Sequence, residues 1–93
     1  MVYEGTWNAE DSQYEFNVTA LKVFQDMQAG KLTVLNIEVD GSPYSLLLDA
    51  GYANTVEEVT YFEFFADPTV MASLNIDTII DDPEGNLVIV IQK

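Results

Sequence analysis

The chain contains no cysteine, no histidine and no arginine, and only three lysines, Lys22, Lys31 and Lys93. Without cysteine there is no disulfide, no thiolate nucleophile and no Cys-ligated zinc, and any redox compartment is compatible. Without histidine, Ser12, Ser42, Ser45 and Ser73 have no imidazole base. Lys22 and Lys31 stand in no recognisable Ser-Lys pairing, and no glycine-rich phosphate cradle is present. Long apolar runs are missing as well: no stretch approaches the roughly 18 consecutive apolar residues of a membrane span. The N-terminal MVYEGTWNAED lacks the basic segment and apolar run of a signal peptide. These absences lead to the expectation of a cytoplasmic, non-enzymatic protein with no cofactor and no bound metal.

What the chain has in excess is negative charge. Sixteen aspartates and glutamates against three lysines give a formal net charge of −13, so few carboxylates have a cationic partner within reach. Such a field repels nucleic-acid backbones and anionic lipid while attracting basic protein surfaces. Direct nucleic-acid or membrane binding is therefore not expected. The hydrophobic share of 48% is too high for a disordered acidic tail, and 93 residues suffice for one core and not for two. A single domain over residues 1–93 is expected.

Turn residues punctuate the chain at Gly30, at Asp40-Gly41-Ser42-Pro43, at Ala50-Gly51, at Asp67-Pro68 and across residues 81–86. Between them lie segments rich in β-branched and aromatic residues, several alternating with period two. Thr33, Leu35, Ile37 and Val39 form one face, and Tyr44, Leu46 and Leu48 another, so residues 32–49 read as a β-hairpin closed by Asp40-Gly41-Ser42. Ile76 to Ile80 and Leu87 to Ile91 form a second hairpin. Leu87-Val88-Ile89-Val90-Ile91 is apolar on both faces, as a central strand is. Residues 56–65 carry both patterns, and four aromatics with β-branched neighbours favour a strand over a helix. Asp67 as cap and Pro68 at the first helical position predict a short helix near 68–74.

Residues 14–29 carry two periods at once. Tyr14, Phe16, Val18 and Ala20 alternate as a strand would, while Leu21, Phe24 and Met27 make a helical stripe that Asn17 or Thr19 caps and Gly30 closes. The fold class expected is mainly β, an antiparallel meander or a small barrel or half-barrel of five to seven strands with the short helix at 68–74. The alternative is α+β, with a helix at 17–29 packed on an antiparallel sheet.

Two motifs resemble known families. Gly5-Thr6-Trp7, a turn-rich stretch and then Tyr14-Glu15-Phe16-Asn17-Val18-Thr19 resemble the opening strands of calycin-type barrels, where a G-x-W strand sets its Trp at the closed end. The arginine that stacks on that Trp in lipocalins is absent here, and the residue-level expectation for Trp7 is an ordinary core tryptophan. Residues 32–58 resemble the hairpin of retroviral-type aspartic proteases, with Asp49-Ala50-Gly51 where a catalytic Asp-Thr/Ser-Gly would stand. There two carboxylates share a proton across a dimer. Ala50 lacks the bracing hydroxyl and no glycine-rich flap follows, so the segment is read as a strand end and turn.

The acids cluster along the sequence: Glu10-Asp11; Glu57-Glu58 with Glu63 and Asp67; and Asp77, Asp81, Asp82 and Glu84. The last group, with Asn86, does not match the spacing of a calcium loop, and Pro83 interrupts it, so a solvated acidic turn is expected. Carboxylates held on a rigid β scaffold can imitate the phosphates of a duplex and occupy the groove of a basic protein. In composition the chain resembles small acidic phage-type inhibitors and DNA mimics, such as anti-restriction, anti-CRISPR and uracil-glycosylase inhibitors. That resemblance implies an acidic interaction protein working in the host cytoplasm and blocking a basic nucleic-acid-binding partner through these ten residues. Two other functions fit the composition: a small β-barrel holding an apolar ligand among Trp7 and the aromatics of 61–65, and a structural subunit or homodimer joined through the 87–91 strand. Acidity kept for solubility alone is the bland account.

Overall fold

A computed structural model describes residues 1–93. Eight strands and two helices follow one another as β1 (Val2–Asn8), β2 (Gln13–Thr19), α1 (Ala20–Gln28), β3 (Val34–Val39), β4 (Ser42–Leu47), β5 (Ala50–Val56), β6 (Val59–Phe65), α2 (Pro68–Ser73), β7 (Ile76–Asp81) and β8 (Asn86–Ile91). The strands form one sheet in the order β4-β3-β1-β2-β8-β7-β6-β5. β4 and β5 are its two edges, yet only Leu48 and Asp49 separate them in sequence. Three residue steps reach at most about 10 Å, so the sheet has to curl until its edges approach at that end. The Leu48 and Asp49 amides fix the corner by donating to Thr33 O (3.0 Å) and Phe65 O (2.7 Å). The mainly β half-barrel is thus present, with eight strands where five to seven were expected.

Both periods in residues 14–29 are used, one after the other. Tyr14 and Phe16 are buried on β2, and at Thr19 the chain turns into α1, with the Thr19 hydroxyl accepting from the Lys22 amide at 3.1 Å. The helix is shorter than 17–29, and its buried stripe is Ala20 and Val23 flanked by Phe24 and Met27. Leu21, which the sequence placed on that stripe, faces solvent. α1 carries the chain past β1, so β3 enters the sheet on the far side of β1 and parallel to it, with Val2 opposite Val34 and Tyr3 opposite Leu35. Every other neighbouring pair is antiparallel.

The 32–49 hairpin forms as read. Thr33, Leu35, Ile37, Leu46 and Leu48 are buried, and the two-residue turn Asp40-Gly41 takes φ of 51° and 81°, the left-handed pair that a tight hairpin needs. The C-terminal hairpin also forms, and β8 is central, between β2 and β7. Both its edges are occupied, so the 87–91 strand cannot pair with another copy and the subunit reading loses its proposed route. Asp67 caps α2 by accepting from the Thr69 (2.8 Å) and Val70 (3.4 Å) amides, as expected. Ala50-Gly51 is not a turn. It lies inside β5, where Gly51 passes close over the Phe64 ring, and the reversal comes instead at Glu57-Glu58.

Gly5 has a packing role. A Cβ there would come within 2.7 Å of the Phe16 ring, so glycine lets Phe16 cross beneath β1. Trp7, two residues on, is not a core residue. It sits at an open end of the curled sheet, 46% exposed, with its ring 4.8 Å from that of Tyr14. No helix is long and apolar enough to cross a membrane.

Candidate interaction surface

The distribution of charge over this fold is uneven. Asp26 on α1 is only 6% exposed and binds both internal lysines, Lys22 at 2.8 Å and Lys31 at 3.8 Å. The Lys22 hydrogen bond holds the Asp26 carboxyl below the usual aspartate range, and the same bond raises the Lys22 ammonium. The N-terminal ammonium donates to Leu32 O at 2.8 Å. One carboxylate therefore takes every lysine that forms an ion pair, and the other fifteen acids have none.

Four of the predicted acids meet at one place. β6 pairs with β5 along its whole length, but with β7 only at Glu63–Ile80 and Phe64–Ile79. Beyond these pairs the Asp81 carboxylate takes over from the ladder and accepts the Phe62 amide at 3.1 Å. The chain then folds away from β6. Asp82 Oδ1 accepts from the Glu84 and Asn86 amides at 2.9 Å each, while the Asp82 amide donates to Asn86 O at 2.8 Å. Pro83, with no amide hydrogen to offer, sits at the crest. A depression of about 610 Å³ is left between Val59–Tyr61 of β6 and the Asp81–Gly85 turn. A second hollow of about 520 Å³, which shares Tyr61 and Asp81 with the first, lies on the outer face, walled by Tyr52, Tyr61 and Glu63 with Ile80 and Asp81 at its side. Asp81, Asp82 and Glu84 thus border the first hollow and Glu63 and Asp81 the second, the two adjoining at Tyr61 and Asp81 to form the acidic groove.

Across the β7–β8 turn a third depression, about 330 Å³, places Asp82 and Glu84 with Asp11 and Glu15. Glu15 carries no mark in the sequence beyond its alternation with buried Tyr14 and Phe16, which turns it outward. No lysine lines any of these hollows.

The remaining predicted residues lie apart. Glu57 and Glu58 form the tip of the β5–β6 hairpin, both left-handed at φ 50° and 70°. Glu10 is exposed in the β1–β2 turn and lines none of these hollows, and Asp67 is engaged as the α2 cap. Asp77 is exposed four residues before Asp81 on β7, about 13 Å along the strand. Asp49 is exposed at the β4–β5 corner and lines none of these hollows. No group of three acids converges at metal-ligating distance.

Sequence reasoning gave the aromatics of 61–65 to one ligand cavity with Trp7. They divide instead: Phe62 and Phe64 are core, whereas Tyr61 and Phe65 face outward, Phe65 edge-on to Tyr52 at 5.7 Å. Trp7 lines a separate end notch of about 320 Å³ with Tyr14, Val39, Leu74 and Ile91, rimmed by Glu38 and Asp40. The Tyr14 hydroxyl donates to Glu38 O at 3.0 Å, and burial, followed by the Asp40 charge, raises its phenol above the ordinary range. Among the other residues that line these hollows, Tyr52, Asn54 and Thr60 carry no signal in sequence. Compared with family models, curated proteins and solved structures, the chain matches none.

Proposed function

We propose that this chain is a non-enzymatic interaction protein that binds a basic, nucleic-acid-handling protein through its acidic groove and so keeps that protein from its nucleic acid. The reading belongs to the class of anti-restriction and anti-CRISPR inhibitors that mimic a duplex. What supports it is the placement of Glu63, Asp81, Asp82 and Glu84 around two adjoining hollows, with Asp11 and Glu15 on the other flank of the same turn and no lysine among them. Carboxylates needed only for solubility do not have to be gathered. An unneutralised cluster raises the local concentration of a basic partner and accelerates its association.

The test is capture from nuclease-treated host lysate on immobilised protein, with Glu63→Lys/Glu84→Lys as the comparison, since neither carboxylate holds a hydrogen bond of the fold. The expected result is a basic protein that the wild type retains, that moderate salt elutes, that the variant does not hold, and whose nucleic-acid binding is lost when the chain is added. Retention that is indifferent to salt and to the double reversal contradicts the proposal.

One observation favours a second reading: the half-exposed Trp7 lies in an apolar notch suited to a small amphipathic ligand. Quenching or shift of its fluorescence by micromolar apolar probe supports that reading, and an unchanged spectrum contradicts it.

A further inference from the structure

The opening between β6 and the Asp81–Gly85 turn is an unfinished stretch of sheet. Continuing the Glu63–Ile80 register places Asp82 opposite Tyr61, Pro83 opposite Thr60 and Glu84 opposite Val59. None of these pairs forms, because the turn satisfies its own polar groups: Asp82 Oδ1 holds two amides of its own loop, and Gly85 donates to Asp82 O at 2.9 Å. The Phe62 amide points toward β7, where it meets Asp81. Backbone groups alternate sides along a strand, so the Thr60 amide and carbonyl point the same way, into the slot. Its walls are therefore an open strand edge on one side and an acidic turn on the other.

We propose that this slot receives a short extended segment of the basic partner, bearing lysine or arginine, which adds as a strand to Val59–Tyr61. The proposal rests on the reading that the partner is basic and goes further in naming how it is held. A strand added there gains main-chain hydrogen bonds from Thr60, and its side chains leave alternately toward the two faces. Those on the outer face meet Tyr52, Tyr61 and Glu63, where a guanidinium or ammonium finds aromatic faces beside a carboxylate. Asp82 and Glu84 face the segment from the other wall. Charge also selects the occupant: a second copy would bring another −13 against this edge. The outer edge of β5, by contrast, has the sequence AGYANTV with no charged residue, and attracts a cationic segment less.

The experiment follows amide signals of the 15N-labelled full chain at low salt as a peptide of about ten residues, alternating lysine and threonine, is added. A second peptide of the same charge is N-methylated at alternate residues, which removes the donors along one edge. The expected result is shifted signals at 59–61 and 82–85, Thr60 amide exchange slowed at least about tenfold, and binding at least about tenfold weaker for the methylated peptide. Equal binding of both peptides without protection of Thr60 overturns strand addition and leaves the acidic-groove reading standing. Failure of both peptides to bind at low salt overturns both readings. Concentration-dependent protection of Thr60 in the protein alone makes the occupant a second copy and overturns the choice of partner.

Discussion

The two edges of the sheet are hairpins of similar length that meet their backbone requirements differently. In β3–β4 the left-handed turn positions hold Asp40 and Gly41, a pair well suited to a tight hairpin, and Pro43 stands on the exposed edge. The helix leading into that hairpin carries the buried Asp26 with both its lysines. In β5–β6 the same positions hold Glu57 and Glu58, two like charges in a conformation that costs an L-residue about 1–2 kcal/mol each. Its outer face leaves Tyr52 and Tyr61 60% and 53% exposed. The turn opposite has carboxylates and no cation. The first region has its buried carboxylate paired and reverses on residues suited to the turn, while the second reverses on two left-handed glutamates and leaves β6 unpaired with β7 beyond Glu63, beside carboxylates with no lysine. That contrast is why the second region is read as the interaction surface.

The hairpins should be alike inside and differ only outside. Phe64→Ala in β6 is expected to cost about 3–5 kcal/mol and Leu35→Ala in β3 about 2–5 kcal/mol, because both side chains are fully buried. Tyr61→Ala on the outer face should cost less than about 1 kcal/mol by urea melting. A Tyr61 cost equal to that of Phe64 would mean that the outer face is structural and would break the contrast.

The turns give effects of opposite sign. Gly41→Ala has open space for its Cβ but keeps a φ of 81°, so a loss of about 1 kcal/mol is expected. Glu57→Asn/Glu58→Gly supplies residues that favour the left-handed turn and should gain about 1–2 kcal/mol. Destabilisation by that double change would show that the glutamates make contacts that the strain argument overlooks.

Salt sharpens the comparison at a smaller scale. Self-repulsion at −13 predicts a melting temperature that climbs from low millimolar to physiological ionic strength, and a smaller climb once Glu57 and Glu58 are replaced. A falling melting temperature contradicts this.

The paired side should respond to pH in a defined direction. The folded-state pKa of Asp26 lies below its ordinary 3.8, so its stabilising effect is fully present above that value and is lost as pH drops through the folded value. The stability difference between wild type and Asp26→Asn should therefore hold steady from pH 7 to about 5 and shrink below about 4. A difference that widens on acidification would contradict the pairing.

Much of the scaffold was legible in sequence because local rules and tertiary packing agree there. Asp40-Gly41 between two alternating runs announces its hairpin, the doubly apolar 87–91 segment its central strand, and Asp67-Pro68 its helix start. Residues 14–29 were ambiguous because a strand and a helix abut at Thr19, and each period was read over the other's residues. The β5–β6 turn was illegible for the opposite reason: Glu-Glu is an unlikely sequence for left-handed turn positions, and the small Ala50-Gly51 pair mimics a turn while lying in a strand. The acids of the groove were named, but their gathering was not, because it depends on where β6 and β7 part. That point is set by long-range register and by the Asp81–Phe62 bond. Tyr52, Thr60 and Glu15 join the surface by the same long-range placement.

The most direct test of the central claim measures the affinity of the captured partner for this chain across ionic strength, for wild type and for Glu63→Lys/Glu84→Lys. The prediction is a dissociation constant that weakens at least about tenfold between roughly 50 and 200 mM salt, with a much shallower slope and weaker binding in the variant. An affinity that stays flat with salt, or is the same in both proteins, would contradict the claim that the acidic groove is where the partner binds.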